Sequence, residues 1–368
     1  MEIPLAVSSS APAATTYHAR LRAVVVAVAM VSTALVIRAL LFLVATQLHG
    51  WTPGAFAELR DGVSYLNLAQ AMSGQVPLAA LDPFDRRVFI GYPALIALLG
   101  WAGLSVTWAA LLLNWLAAAL TAPIAARLTR DQRVGWAMVV FTPSYLMYST
   151  LAMSEATLIW CTLWGLWRWQ NSRVRSAGFL LGLAGLIRPM ACFAVLGMLA
   201  EGWRAKRSRQ ALTVSCLAAL VVVAGLGLRQ LWAGDALAHL GTYAHDRRAY
   251  GGHLLAWPFT SLISTPLHER VPIWKLGYVW GYVVLVLGAC GLAVRERAAG
   301  MAVWIIGNTL FALCIGSVWG FEAFGRFVLP ALLPILWAYR RWYPRSLIGW
   351  SALGGFSVAL ALVGLLRS

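Results

Sequence analysis

The stretch LRAVVVAVAMVSTALVIRALLFLVATQL, residues 21–48, decides the class of fold. Its apolar run exceeds the roughly 20 residues that carry a helix across a bilayer, and one charge, Arg38, interrupts it. The apolar region of a signal peptide spans only about 7–15 residues, so this segment reads as an uncleaved first crossing. Residues 1–20 before it are rich in Ser, Ala and Pro and are expected to form a disordered cytoplasmic tail.

The rest of the chain has the same character. Of 368 residues, 61% are hydrophobic and 11% charged, and the mean hydropathy is +0.74, so lipid must solvate most of the surface. The net charge of +16 would suggest nucleic acid in a water-soluble protein. Here the basic residues, 27 Arg with Lys206 and Lys275, sit in short clusters between apolar runs, a pattern of topology and not of nucleic-acid binding. The arginine bias points to a GC-rich bacterial genome, and the expected location is a bacterial plasma membrane.

Spans are expected near 22–47, 106–127, 134–149, 152–168, 176–188, 190–203, 211–232, 274–294, 299–318, 325–339 and 346–366. With the N-terminus cytoplasmic, these eleven crossings put Arg20/Arg22, Arg127/Arg130/Arg133, Arg168/Arg173/Arg175, Arg204/Lys206/Arg207/Arg209, Arg295/Arg297 and Arg340/Arg341/Arg345 on one side. The other side receives the loops 49–105 and 233–273 and nine of the thirteen acidic residues. The segment 91–104 is apolar but has no crossing left to make, so it is expected along the outer interface as an amphipathic or re-entrant helix. The fold class is therefore an all-α polytopic membrane protein: a single membrane domain over residues 21–368, with short interfacial helices in its outer loops. The five cysteines fall in apolar runs without metal spacing and are expected to be small, unbridged core residues.

Chemistry is sought where charge meets apolar sequence. Asp61, in LRDGVSYLNLA after the first span, is a candidate general base, with an N-cap as its plainer role. Arg188 precedes the helix-breaking Pro189, and an arginine among apolar neighbours needs an anionic partner: a phosphate, held by the guanidinium fork, or an internal carboxylate such as Glu155. Arg326, in FGRFVLP, and Arg38, in the outer half of the first span, pose the same question. Glu155 occupies a tight apolar corner and is expected to face protein or a wet cavity. Asp82 and Asp85 suit sugar hydroxyls, a cation or simple solvation. His253 stands out in the loop YAHDRRAYGGH, a composition suited to carbohydrate or phosphate. No residue set has metal-ligand spacing; no cofactor is required, and nothing supports a divalent cation.

In order along the chain stand Arg60-Asp61 with Tyr65-Leu66 and Ala69, Gly91-Tyr92-Pro93 with Leu95, and Tyr148-Ser149 with Met153-Ser154-Glu155. There follow Gly182-Leu183-Ala184 running to Arg188-Pro189, then Trp257-Pro258-Phe259, and Gly325-Arg326-Phe327-Val328-Leu329-Pro330 with Pro334. In these landmarks the chain resembles the GT-C superfamily of membrane glycosyltransferases, most closely the branch of the GPI-anchor second mannosyltransferase and its bacterial relatives. The chain departs from that branch in having Arg60 where a Trp often precedes the Asp. The resemblance implies a sugar donor linked to polyprenyl phosphate and a lipid, glycan or protein acceptor. Transfer, mannose foremost and usually with inversion, would occur away from the cytoplasm. It implies Asp61 as the base and Arg188 and Arg326 near the lipid phosphate; Tyr65, Glu155, His253 and Arg38 are the further candidate substrate contacts. A transporter or lipid flippase is the alternative, and would place charges at the bilayer midplane within paired broken helices. A third reading, a catalytically dead scaffold, would close the outer cavity.

Overall fold

A computed structural model describes residues 13–237, 255–316, 320, 321 and 323–367. Of the described residues 80% are helical and none forms a β-strand, an isolated bridge joining Leu255 to Ile315. Helix α1 runs from Ala13 to His49. Residues 13–20, expected to be disordered, are therefore its first turns: Ala13 and Ala14 are strong helix formers, and extending a formed helix adds a hydrogen bond for each residue fixed.

Among the described residues five helices are long and apolar enough to cross a membrane: α1 over Leu21–His49, α5 (Val106–Thr129), α11 (Ser208–Ala233), α13 (Ile273–Arg295), which follows the short α12 (Thr260–His268), and α17 (Leu347–Leu366). Of the apolar window in each, α5 buries 61% and the other four only 17–28%, so α5 is central and the others present apolar faces outward. Exposed Val24, Leu40, Leu220, Val223, Val284 and Phe356 make that surface fit for lipid. Around α5 pack α1, α6 (Gln132–Val140) and α8 (Glu155–Gln170); α9 (Val174–Ile187) lies between α8 and α11, and α10 (Ala191–Arg204) against α14 (Ala299–Leu313).

Local chemistry fixes the boundaries. Ser105 caps α5 by accepting from the Trp108 amide, Asp131 caps α6 by accepting from the Arg133 amide at 2.9 Å, and Ser346 caps α17 through the Gly349 amide. Two segments expected as single spans are divided. The segment 134–149 becomes α6 and α7 (Pro143–Thr150), because Pro143 lacks the amide that would continue α6 and instead opens α7. The segment 325–339 becomes α15 (Phe324–Val328), a 3₁₀ turn containing Pro330, and α16 (Leu332–Ala338). The cysteines are all unbridged, but only Cys161 is buried: Cys192 and Cys216 are exposed, on helix faces that lack protein neighbours.

The loop after α1 builds α2 (Pro53–Ala57), α3 (Gly62–Met72), a 3₁₀ turn at Asp85–Arg87 and α4 (Gly91–Trp101). Helix α4, expected along an interface, is half embedded: Tyr92 and Ile96 are fully buried while Leu98 and Trp101 are exposed. Gly91 makes this docking work, since a Cβ there would stand 2.7 Å from the Ile187 amide nitrogen at the end of α9. A Gly91→Val substitution should therefore push α4 off α9 and destabilise the fold by about 1–3 kcal/mol, read as a lower unfolding temperature in detergent. An unchanged midpoint would show that α4 docks loosely.

Candidate functional site

One end of the bundle gathers charges that the sequence scatters over 265 positions. Asp61 holds the N-cap position of α3 but makes no side-chain cap, so the plainer reading of that residue fails. Its carboxylate instead accepts from Arg326 Nη1 at 2.7 Å and from Arg87 Nη2 at 2.9 Å. The backbone beside it is constrained on both sides. Arg60 sits in the left-handed region at φ 59°, sparsely populated by side-chain-bearing residues, and Gly62 packs against the Ala57 carbonyl with no room for a Cβ.

Glu155 begins α8, where the helix dipole favours an acid, and is 1% exposed. Its Oε1 accepts from Arg326 Nε and, at 2.9 Å, from Arg188 Nη2. Asn114, fully buried in α5, holds this corner by donating to the carbonyls of Tyr148 (3.0 Å) and Leu151 (2.7 Å). Arg188 reaches it because Pro189 forces the preceding residue into extended backbone, φ −156° and ψ 137°, turning the side chain off the end of α9. Arg188 also donates to Ser154 Oγ at 2.8 Å and to the Tyr65 hydroxyl at 3.3 Å, and Tyr65 and Ser154 are themselves bonded at 2.9 Å. The Tyr148 ring faces both Arg326 and Arg60, at 5.5 and 5.7 Å.

Asp61, Glu155, Arg188, Arg326 and Tyr65 thus form one network, and Arg87 joins it. Among the described residues, two carboxylates pair with three guanidinium groups, one cation more than acids. Three buried atoms of the network, Arg326 Nη2, Arg87 Nη1 and Glu155 Oε2, have no hydrogen-bond partner among the described residues. Buried donors left open in this way are suited to an incoming oxyanion. Burial by itself would raise the Asp61 pKa, but Arg326 first, then Arg87 and Arg188, outweigh it and hold the carboxyl well below the usual range.

Other candidates lie elsewhere. Arg38 is fully buried on the face of α1 turned toward α7, donating to Ser149 Oγ and to the Ala34 carbonyl, both at 2.9 Å, with its guanidinium near the Tyr145 ring. The Ser149 hydroxyl bond ties α1 to α7, the Ala34 carbonyl lies one turn back in α1 itself, and Arg38 makes no hydrogen bond to the network's carboxylates. Asp85 is buried and not solvated: Ser64 Oγ and Asn67 Nδ2 each donate to it at 2.7 Å, fixing the 3₁₀ turn that carries Arg87 against α3. Asp82 stays at the surface, accepting from the Phe84 amide. His253 lies outside the described residues. Among the described residues no three His, Cys, Asp or Glu side chains come together as a metal set would. Arg87 escapes sequence reasoning because an arginine in a polar loop carries no signal of burial.

No known family model matches the chain, and no curated protein matches it.

The Asp61 geometry has a pH signature. A carboxyl whose folded pKa lies below its unfolded value of about 3.9 stabilises the fold above that pH, and the contribution fades as the pH falls toward the depressed value. Thermal unfolding in detergent should therefore lose stability below about pH 4, and Asp61→Asn should flatten that decline. Equal slopes in both proteins would show that Asp61 is not tied to Arg326 and Arg87 in the folded chain.

Proposed function

We propose that the chain is a membrane glycosyltransferase of GT-C type, moving a sugar, mannose foremost, from a polyprenyl-phosphate carrier to a lipid, glycan or protein acceptor. In this reading the shorter helices complete about eleven crossings of a bacterial plasma membrane. The ion network then lies on the non-cytoplasmic side, opposite the basic clusters. One observation supports the proposal: Asp61 and Glu155 share Arg326, Glu155 also pairs with Arg188 and Asp61 with Arg87, and among the described residues this cluster holds one more cation than acids and two buried guanidinium donors without a partner.

The chemistry balances. The acceptor oxygen forms a bond to the anomeric carbon as that carbon's bond to the phosphate oxygen breaks, and the bonding pair leaves with the phosphate. The acceptor proton goes to Asp61, and the charge gained by the leaving phosphate is met by guanidinium groups. Asp61 clamped between Arg326 and Arg87 is a weak base. As negative charge grows on the phosphate it competes for Arg326, and a carboxylate released from that pair gains proton affinity when the proton needs a home. Tyr65 and Ser154 keep Arg188 aimed while this happens. A prenyl tail remains in lipid, where the exposed apolar faces leave it room.

The test is transfer from polyprenyl-phosphate mannose by the purified chain in proteoliposomes. Asp61→Asn should lower kcat by about 10²–10⁴ with folding retained, and Arg326→Ala by about 10²–10³. Donor consumption that is unchanged in both variants, or substrate flux without a covalent product, would overturn the proposal.

A further inference from the structure

Helices α1, α5 and α8 leave an outward-facing groove of about 390 Å³, lined by Val31, Pro123, Trp160, Trp164 and Trp167 with Arg127 at its rim. It is distinct from the ion network, none of whose residues line it: along α8 its tryptophans lie five to twelve residues from Glu155, a rise of about 7–18 Å at 1.5 Å per residue. The walls are almost wholly apolar, while the end toward the α5–α6 turn is cationic. The Arg127 guanidinium stands 5.9 Å from the centre of the Trp167 ring, and that of Arg168 lies 5.3 and 5.4 Å from the rings of Trp164 and Trp167. Neither has a carboxylate within ion-pair distance among the described residues, and the Arg168 Nε is buried without a hydrogen-bond partner. The neighbouring Arg133, by contrast, is neutralised by Asp131 at 2.9 Å.

We propose that this groove is a binding site for an anionic phospholipid: one acyl chain lies along the three tryptophans and the phosphodiester sits against Arg127, with Arg168, which does not line the groove, adding positive charge beside the Trp164 and Trp167 rings. The shape suits a hydrocarbon chain, and the two indole-stacked cations supply the charge complement that a zwitterionic headgroup, carrying its own ammonium, offsets in itself. The site does not depend on the transferase reading, since no residue of the ion network takes part.

The full chain in detergent, offered equimolar dioleoylphosphatidylglycerol and dioleoylphosphatidylcholine, is to be read by native mass spectrometry. Two arginines at a membrane surface correspond to on the order of 30-fold selectivity for the anionic lipid. Arg127→Ala combined with Arg168→Ala should bring the two lipids to parity, and Trp164→Ala should weaken retention of both. Arg209→Ala, removing an exposed arginine at the start of α11, should change neither. Equal retention of the two lipids by the unaltered chain would overturn the site, as would an Arg209→Ala loss as large as that of the double variant. Retention indifferent to Trp164→Ala would do the same.

Discussion

The guanidinium of Arg326 is the constraint on which the rest of this end of the molecule depends. It lies between Asp61, from the loop after the first helix, and Glu155, at the head of α8, and donates to both. An arginine this enclosed must be compensated, because an unpaired charge held away from water costs several kcal/mol. The carboxylates are equally bound by the need. Neither α3 nor α15 is long enough to stand alone, yet both are held to α8 by a cation that cannot lose its proton. The ion pairs fix a register that apolar side chains, which pack against one another in many ways, would leave loose.

A second cation orders the loop behind this network. Arg229, buried in α11, donates to the carbonyls on either side of Arg87: to Val88 at 3.0 Å and to Arg86. Asp85, held by Ser64 and Asn67, presses the same turn against α3. Arg87 is thus gripped through its neighbours before it touches Asp61. The turn carrying Arg87 is held through the backbone carbonyls of Arg86 and Val88 as well as through side chains.

Much of this was legible in the sequence, and the failures have physical causes. Every expected span from 22–47 to 346–366 contains helix, because length and hydropathy suffice where lipid is the solvent. At Pro143 and Pro330 hydropathy misleads, since an apolar run reads as one span even where a missing amide divides it. Arg188, Arg326, Glu155 and Asp61 stood out because a charge amid apolar residues is costly anywhere. Arg38 carried the same signal, and only the rotation of α1 decides that it meets Ser149 and not a carboxylate. Arg87 and Asp85 sat in a polar loop where burial leaves no mark on composition; their roles follow from a chain reversal that periodicity does not encode. His253 falls outside the described residues.

In the proposed reading, the charge count among the described residues is what would separate a ligand-binding cluster from a purely architectural one. A network that served only to join helices would be most stable with each cation matched and each buried donor used, since every orphaned polar atom costs about 1–3 kcal/mol. Here three cations meet two acids, and the open atoms, Arg326 Nη2 and Arg87 Nη1, belong to the two guanidinium groups that hold Asp61. Both open donors belong to one carboxylate's partners, while the third open atom, Oε2 of Glu155, is an acceptor on the other carboxylate. An oxyanion entering there would complete the coordination of both arginines and loosen their hold on Asp61 in one step, joining the binding of a phosphate to the freeing of a base. That coupling needs the imbalance, and a fully paired cluster would lack it.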